Sequence, residues 1–241
     1  MEAQTGKLSG VPLFELKRVY VDGVEQERFR AVVEEGKSQA VAVVSDRYTL
    51  VQMRDLFEQI LSLFPPDTDH SVYYYRGKGE MHLFPPGKEV GVAVVNSVDC
   101  STAIRIHFLQ RVNGDAVAYT PAREFYRIHV GAALQATLNA AEVLEKAEAA
   151  WEAIAGGLSR TPVSPGLCGD LREALQEDYL REVVDRFDPA GDSRLVPPSV
   201  WSLLVELVRA VANRRYRSEV NRLNRMRQVS CLILAVALGG T

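Results

Sequence analysis

Apolar and polar residues change their spacing along this chain, and the change divides it into a strand-rich part followed by a helix-rich part. Between residues 11 and 120 the apolar positions mostly alternate or form short runs such as Val90 to Val95, which is typical of β-strands. Residues 53–64 differ, because their apolar side chains recur every three or four positions until Pro65-Pro66. This spacing predicts a helix.

Turn-forming residues separate the predicted strands. Asp22-Gly23 follows a strand that ends at Val21, and Arg76-Gly77-Lys78-Gly79-Glu80 is predicted to be the loop of a second hairpin. Asn113-Gly114-Asp115 is a strong signal for another hairpin. The strands up to Tyr119 are therefore expected to pair with antiparallel neighbours.

Helical spacing dominates after Pro121. It predicts a long helix from about Ala132 to Ala155, which Gly156-Gly157 would end, and a linker from Leu158 to Gly169. Two or three further helices are predicted, in the ranges Asp170 to Phe187, Ser199 to Arg217, and Val220 to Leu238.

Strands that come first and helices that come later indicate the α+β fold class. We expect an N-terminal body rich in antiparallel sheet, with two helices packed on it, followed by a helical C-terminal part. The predicted domains are residues 1–157 for the α+β body and residues 158–241 for the helical region.

The composition narrows the class of protein. The 241 residues are 47% hydrophobic and 24% charged, which is ordinary for a soluble globular protein, and the net charge is −3. A nucleic-acid site must therefore be a local patch. Three scattered cysteines favour a reducing, cytoplasmic setting over a disulfide framework or a zinc site.

No signal peptide or membrane segment is expected. The N-terminus lacks the basic flank and apolar core of a signal peptide, and the longest apolar run, Val229 to Leu238, is far below the roughly 20 residues that span a bilayer. That run is expected to be either a buried terminal helix or a contact between subunits.

A polar corner is predicted between two strands, at Asn96, Ser97, Asp99 and Ser101. Short polar side chains of this kind bond to nearby backbone and form turns. The corner is either a site in which Asp99 or Cys100 is active, or a turn that only fixes the strand register, and we favour the turn. No catalytic residue is assigned, because no partner that would activate a nucleophile is recognisable nearby.

The corner and an earlier block resemble a known family. Val44-Ser45-Asp46-Arg47-Tyr48-Thr49-Leu50-Val51-Gln52 and Asn96-Ser97-Val98-Asp99-Cys100-Ser101-Thr102-Ala103 are similar to two blocks of the phage/plasmid-like proteins grouped as DUF 932. The chain would be a divergent member, because Val98 and Cys100 stand where the family has histidine and glycine. The resemblance implies a mobile-element setting and work on nucleic acid, such as recombination or single-strand annealing.

Basic residues predict where nucleic acid would bind. Strand alternation places Arg105, His107 and Arg111 on one face, and tyrosines such as Tyr73, Tyr74, Tyr75, Tyr119 and Tyr126 interleave with the charges. Cations that follow phosphates and rings that stack on bases are how single strands are held. Arg76, Lys78, Arg123 and Arg127 are expected to join this face. The alternative is an ordinary solvated strand face.

A second basic segment lies in the C-terminal helices. It includes Arg214, Arg215, Arg217 and Arg222, with few acids between them. Such a segment binds a phosphate backbone, is a solvated helix face, or pairs with acidic helices of a partner subunit.

The sequence therefore favours a non-enzymatic protein that binds single-stranded DNA or RNA without strong sequence preference, as a homo-oligomer. We expect no cofactor and no metal, because the four histidines are isolated. One alternative is a nuclease or nucleotide-modifying enzyme that uses Asp99 and Asp46. The other is a non-catalytic assembly subunit.

Overall fold

A computed structural model describes residues 4–6, 8–99, 104–114, 116–121, 140–190 and 198–238. The predicted α+β class is confirmed, because strands fill the first half of the chain and helices fill the second. The described strands are β1 (Gln4–Gly6), β2 (Phe14–Val21), β3 (Val24–Glu34), β4 (Ala40–Ser45), β5 (Asp69–Tyr75), β6 (Lys78–Phe84), β7 (Val90–Ser97), β8 (Arg105–Asn113) and β9 (Ala116–Pro121).

The described helices follow a short 3-10 turn at Leu8–Gly10. They are α1 (Met53–Leu61), α2 (Ala140–Arg160), α3 (Pro165–Ala174), α4 (Asp178–Phe187), α5 (Val200–Ala212) and α6 (Glu219–Ala237). Among the described residues, no helix has the length and apolar character needed to cross a bilayer.

The strands form two sheets. The larger has the order β1-β5-β6-β7-β8-β9, and the smaller has the order β2-β3-β4. The pairs β1/β5, β5/β6, β6/β7, β2/β3 and β3/β4 are antiparallel. Asp22-Gly23 connects β2 to β3 as its turn chemistry predicts, because both residues have positive φ (51° and 80°), the geometry of a two-residue hairpin loop.

Helix α1 covers one face of β6 and β7. Its spacing places Met53, Leu56, Phe57 and Ile60 on one side, and all four are buried. The strand beneath has a glycine where the helix approaches most closely: an added Cβ at Gly79 would lie 2.6 Å from Met53 Sδ. The missing side chain lets helix and sheet pack in direct contact.

The helical half differs from the prediction in four places. Helix α2 continues through Gly156-Gly157 to Arg160, since a glycine inside a helix costs only about 1 kcal/mol and packing overrides it. Helix α3 begins inside the predicted linker, because Ser164 caps it and Pro165 suits a first helical position. The predicted helix from Asp170 to Phe187 is broken at residues 175–177, and α5 ends at Ala212.

We expect Ser164→Ala to lower the free energy of unfolding by about 1 kcal/mol. The Ser164 hydroxyl accepts a hydrogen bond from Leu167 N at 3.2 Å, and alanine would leave this amide without that acceptor. Ser159→Ala is the matched control, because Ser159 is exposed in α2, where alanine favours the helix. Urea unfolding measures both; equal losses would show that the cap does not stabilise α3.

Contacts divide the chain into two compact units. The first contains the residues up to His107 with the beginnings of α2 and α6, and the second contains the remaining described residues from Phe108 onward. In the second unit α5 packs on β9, and Trp151 meets Trp201 edge-on, with ring centroids 6.3 Å apart. The domain boundary after residue 157 stays a prediction, although residues 157 and 158 both lie in α2.

Candidate functional site

The hairpin between β5 and β6 has an unusual residue at its tip. Arg76 and Gly77 form a two-residue loop in which both φ angles are positive (48° and 77°), so the loop is shorter than the predicted five residues. The left-handed conformation disfavours side chains other than those of Asn and Asp. The hairpin between β2 and β3 has the same geometry, and its first loop residue is Asp22, a residue type that commonly adopts a positive φ.

This tip lies beside a cleft in the first unit, which we call the hairpin cleft. Its volume is about 490 Å³. The lining residues come from three segments: Gly10 and Pro12; Glu34, Lys37, Gln39, Ala40 and Val41; and Tyr74, Tyr75 and Arg76. Gln52 holds the first segment through hydrogen bonds to Phe14 N and O, and Arg54 holds it through Val11 O at 3.0 Å. These hydrogen bonds fix the wall of the cleft that the first segment forms.

Polar groups of opposite character meet in the hairpin cleft. Lys37 Nζ forms an ion pair with Glu34 at 2.6 Å. The Tyr74 hydroxyl accepts a hydrogen bond from Gly77 N at 3.0 Å. Burial raises the pKa of Tyr74 to about 12, with Glu34 and Asp99 adding to the effect. The hydroxyl therefore keeps its proton at neutral pH and remains a donor.

Two of the predicted nucleic-acid residues lie at this hairpin. Arg76 and Lys78 are exposed, and neither forms an ion pair with a described residue. The Arg76 guanidinium carbon lies 5.3 Å from the centre of the Tyr75 ring, a cation–π contact that orients the charge. The structure thus supports these two positions as accessible cations.

The predicted polar corner is not a loop at its start. Asn96 and Ser97 are the last residues of β7 and are fully buried, so the prediction that they form a turn is wrong. The strand continues here because Asn96 lies opposite Gly79 and Ser97 opposite Lys78 in the β6/β7 pairing. Asp99 is half-buried in the bend that follows, and Ser101 lies outside the described residues.

The buried end of β7 supports the hairpin. Val98 N donates to Gly77 O at 2.8 Å, and the Tyr48 hydroxyl donates to Val98 O at 3.3 Å. Neither polar atom of the Asn96 side chain has a hydrogen-bond partner among the described residues. The hydrogen bond from Val98 to Gly77 ties the end of β7 to the hairpin loop, which is a structural role for this part of the predicted corner.

The predicted basic face of β8 is only partly exposed. Arg105 is exposed and Arg111 is half-buried, but His107 is 6% exposed. Ile106, His107, Phe108 and Leu109 are four consecutive buried residues, so both faces of the strand are covered there and alternation does not bring His107 to the surface. Arg105, His107 and Arg111 each interact with another group of the chain.

Sequence reasoning missed a buried acid–histidine pair. Glu80 and His82 are 1% and 4% exposed, and His82 Nε2 lies 2.8 Å from Glu80 Oε1. The imidazole also meets the Tyr73 ring at 5.1 Å between centroids. The two residues are separated by one position on β6, which is the only signal that the sequence offered. Among the described residues, no group of three or more His, Cys, Asp or Glu side chains could hold a metal ion.

The second unit gathers arginines between α5 and α6. Arg214, Arg215 and Arg217 are exposed, and none forms an ion pair with a described residue. We call these three residues, together with Tyr179 and Tyr216, the arginine turn. The segment leaves the helix after Asn213, so its cations project from a connection and not from the side of a helix as predicted.

Two tyrosines fix the arginine turn. The Tyr179 and Tyr216 hydroxyls lie 2.9 Å apart, and the Arg214 guanidinium carbon lies 4.2 Å from the centre of the Tyr179 ring. Burial, followed by the hydrogen bond with Tyr179, raises the pKa of Tyr216. The Tyr216 hydroxyl therefore stays protonated at neutral pH, and the turn carries positive charge beside aromatic surface.

Other arginines of this segment serve the fold. Arg222 is half-buried and donates to Ala212 O at 3.3 Å, which satisfies a carbonyl at the end of α5. Arg225 forms an ion pair with Glu177 and donates to Gln228. Arg222 therefore supports the end of α5, and its role in binding stays a prediction.

The apolar stripe of α6 is mostly internal. Val229, Ile233 and Leu234 are buried within the chain, and only Leu238 of the large apolar residues is strongly exposed. One side of the run Val229 to Leu238 is therefore buried within the chain, and the choice between a buried helix and a contact between subunits stays a prediction. The prediction of a homo-oligomer gains no support from this stripe.

Comparison with family models, curated proteins and solved structures finds no match to this chain. The resemblance to the DUF 932 proteins therefore stays a prediction. Arg123 and Arg127, which were predicted to join the basic face, lie outside the described residues.

Proposed function

We propose that this chain binds single-stranded nucleic acid without strong sequence preference, and that the arginine turn contacts the phosphate backbone. The observation that carries the proposal is the clustering of Arg214, Arg215 and Arg217, which are exposed without ion pairs to described residues. Guanidinium groups pair with phosphates through a planar fork of donors.

The neighbouring rings favour single strands. Tyr179 and Tyr216 lie beside the cations, and unstacked bases of a single strand stack on aromatic side chains and on guanidinium planes. Two nearby carboxylates have cationic partners, since Glu177 pairs with Arg225 and the exposed Asp178 lies 3.5 Å from Arg181. These partners reduce the repulsion that a polyanion would meet at the turn.

The backbone of the arginine turn, all of it among the described residues, explains the expected lack of sequence preference. The arginines leave a helix end at a connection, whereas base-specific readers insert a helix or strand into a groove. Binding then depends on phosphate charge and stacking, which every sequence provides. A role in recombination or annealing, in a phage or plasmid setting, follows only from the family resemblance.

We expect the full chain to bind a fluorescently labelled 20-nucleotide single strand at low salt, with an affinity that falls steadily as salt rises. Three phosphate contacts alone predict a slope of about −2 for log K against log salt. Fluorescence anisotropy at four salt concentrations measures it. Failure to bind at the lowest salt would reject the proposed function.

The same titration separates binding from assembly. Light scattering with and without the oligonucleotide gives the mass of the protein. A defined oligomer that forms alone and ignores the oligonucleotide would favour the assembly subunit over the nucleic-acid binder.

A further inference from the structure

We infer that the hairpin cleft is a second site, which binds a small organic anion with a planar ring, the chemical class that a nucleoside monophosphate represents. The site uses residues of the first unit only and shares none with the arginine turn. Its evidence is independent of the proposed function.

The first observation is the backbone conformation of Arg76. This arginine has a left-handed conformation (φ 48°), and the equivalent residue of the hairpin between β2 and β3 is Asp22, with φ 51°. Side chains in sparsely populated backbone regions cluster at ligand clamps, because the surrounding structure enforces them for a purpose other than stability. The Arg76 side chain is exposed, so burial in the core does not account for its presence.

The second observation is the charge of the cleft. Its charged lining residues are Arg76, Lys37 and Glu34, and the carboxylate is already paired with Lys37. The Arg76 guanidinium has no ion pair among the described residues and is held over the Tyr75 ring. An anionic group would therefore find a positioned guanidinium fork, with the Tyr74 hydroxyl as a further donor.

The third observation is shape. A volume of about 490 Å³ falls within the range of small-molecule sites, about 300–1,000 Å³, and admits a single molecule of modest size. Pro12, Val41 and the two tyrosines provide apolar and aromatic surface, and the Gln39 amide offers both a donor and an acceptor. These surfaces suit a flat heterocycle attached to the anion.

Calorimetric titration of the full chain with adenosine monophosphate, adenosine and inorganic phosphate tests the inference at low salt. We expect the monophosphate to bind, and each of the other two to bind at least tenfold more weakly, because each lacks one half of the ligand. Phosphate that binds as tightly as the monophosphate would overturn recognition of the ring. No binding of the monophosphate would overturn the site.

The substitution Arg76→Asn distinguishes a role of Arg76 in ligand binding from a role in stability. Asparagine tolerates the left-handed conformation, so we expect the urea midpoint to rise while affinity for adenosine monophosphate falls at least tenfold. Asp22→Asn is the matched control in the equivalent turn, and it should leave both quantities unchanged. Unchanged affinity in Arg76→Asn would overturn the inference.

The proposals for the hairpin cleft and for the arginine turn can be tested independently of each other. Replacing the three arginines of the arginine turn with glutamine should leave binding of the monophosphate intact. Loss of that binding in the triple variant would contradict an independent site in the first unit.

Discussion

A variant that carries Arg214→Gln, Arg215→Gln and Arg217→Gln is expected to bind a single-stranded oligonucleotide about a hundredfold more weakly than the natural chain at about 50 mM salt. Glutamine keeps most of the side-chain length and removes the charge. Each arginine that contacts a phosphate releases condensed counterions, and three lost contacts remove about two units of the salt slope. Anisotropy titrations at several salt concentrations give both quantities.

The matched control removes the same charge elsewhere. Arg18, Arg28 and Arg47 are exposed residues of the first unit, and their triple replacement by glutamine changes the net charge equally. We expect this control to lower affinity by less than a factor of about three, since only long-range attraction is reduced. Equal losses in the two variants would show that binding follows net charge and that the arginine turn is not the interface.

Stability of the triple variant should be close to that of the natural chain. The arginines are exposed, and among the described residues only Arg214 of the three stacks on a ring, a contact that contributes roughly 0.5–1 kcal/mol at an exposed site. Urea unfolding of the variant therefore checks that weaker binding does not arise from unfolding.

Gly91→Ala is expected to destabilise the protein by about 3 kcal/mol, at the upper end of the usual cost of overpacking. Gly91 is a buried residue of β7, and an added Cβ would overlap Leu83 O and lie 2.7 Å from Phe84 Cδ1. The backbone oxygen cannot rotate away, so β6 and β7 would have to separate. The urea midpoint, followed by far-ultraviolet circular dichroism, measures the loss.

Gly157→Ala is the control with the opposite expected sign. Gly157 lies within α2, and an added Cβ would meet nothing within 4 Å. Alanine should therefore stabilise the protein by up to about 1 kcal/mol through helix propensity. If both substitutions had the same effect, close packing at Gly91 would not be the reason for its glycine.

The sequence predicts elements whose signals are local. Met53, Phe57 and Ile60 recur at helical spacing and form the buried side of α1, and Asp22-Gly23 supplies the positive φ angles that its hairpin requires. The order of strands before helices also predicts the α+β class correctly. Each of these features depends on residues within a few positions of one another.

Features set by distant parts of the chain escape such reasoning. Leu175 ends α3 in an extended conformation and is fully buried, although no glycine or proline marks a break there. His107 follows the polar phase of an alternating strand, yet both sides of that strand are covered. Tertiary packing determines both the end of α3 and the burial of His107, and it cannot be inferred from the local pattern of a single sequence.

Of the two candidate sites, one has a local signal in the sequence and the other depends on residues that are distant along the chain. Arg214, Arg215 and Arg217 are visible in the sequence as a run of basic residues, and the structure adds their position in a connection and the rings beside them. The hairpin cleft was invisible, because it joins Pro12, Lys37 and Tyr74 from three separated segments. Its one local signal was the pair Arg76-Gly77, which predicts an ordinary loop, and only the positive φ angles show that the position of Arg76 is unusual.

The edge-on pair Trp151 and Trp201 has a practical consequence. These are the two tryptophans of the chain, and both belong to the second unit. Intrinsic emission excited at long ultraviolet wavelengths therefore reports the second unit. Unfolding of the first unit alone would leave that emission largely unchanged, so comparing it with a backbone signal shows whether the two units unfold in one step or in two.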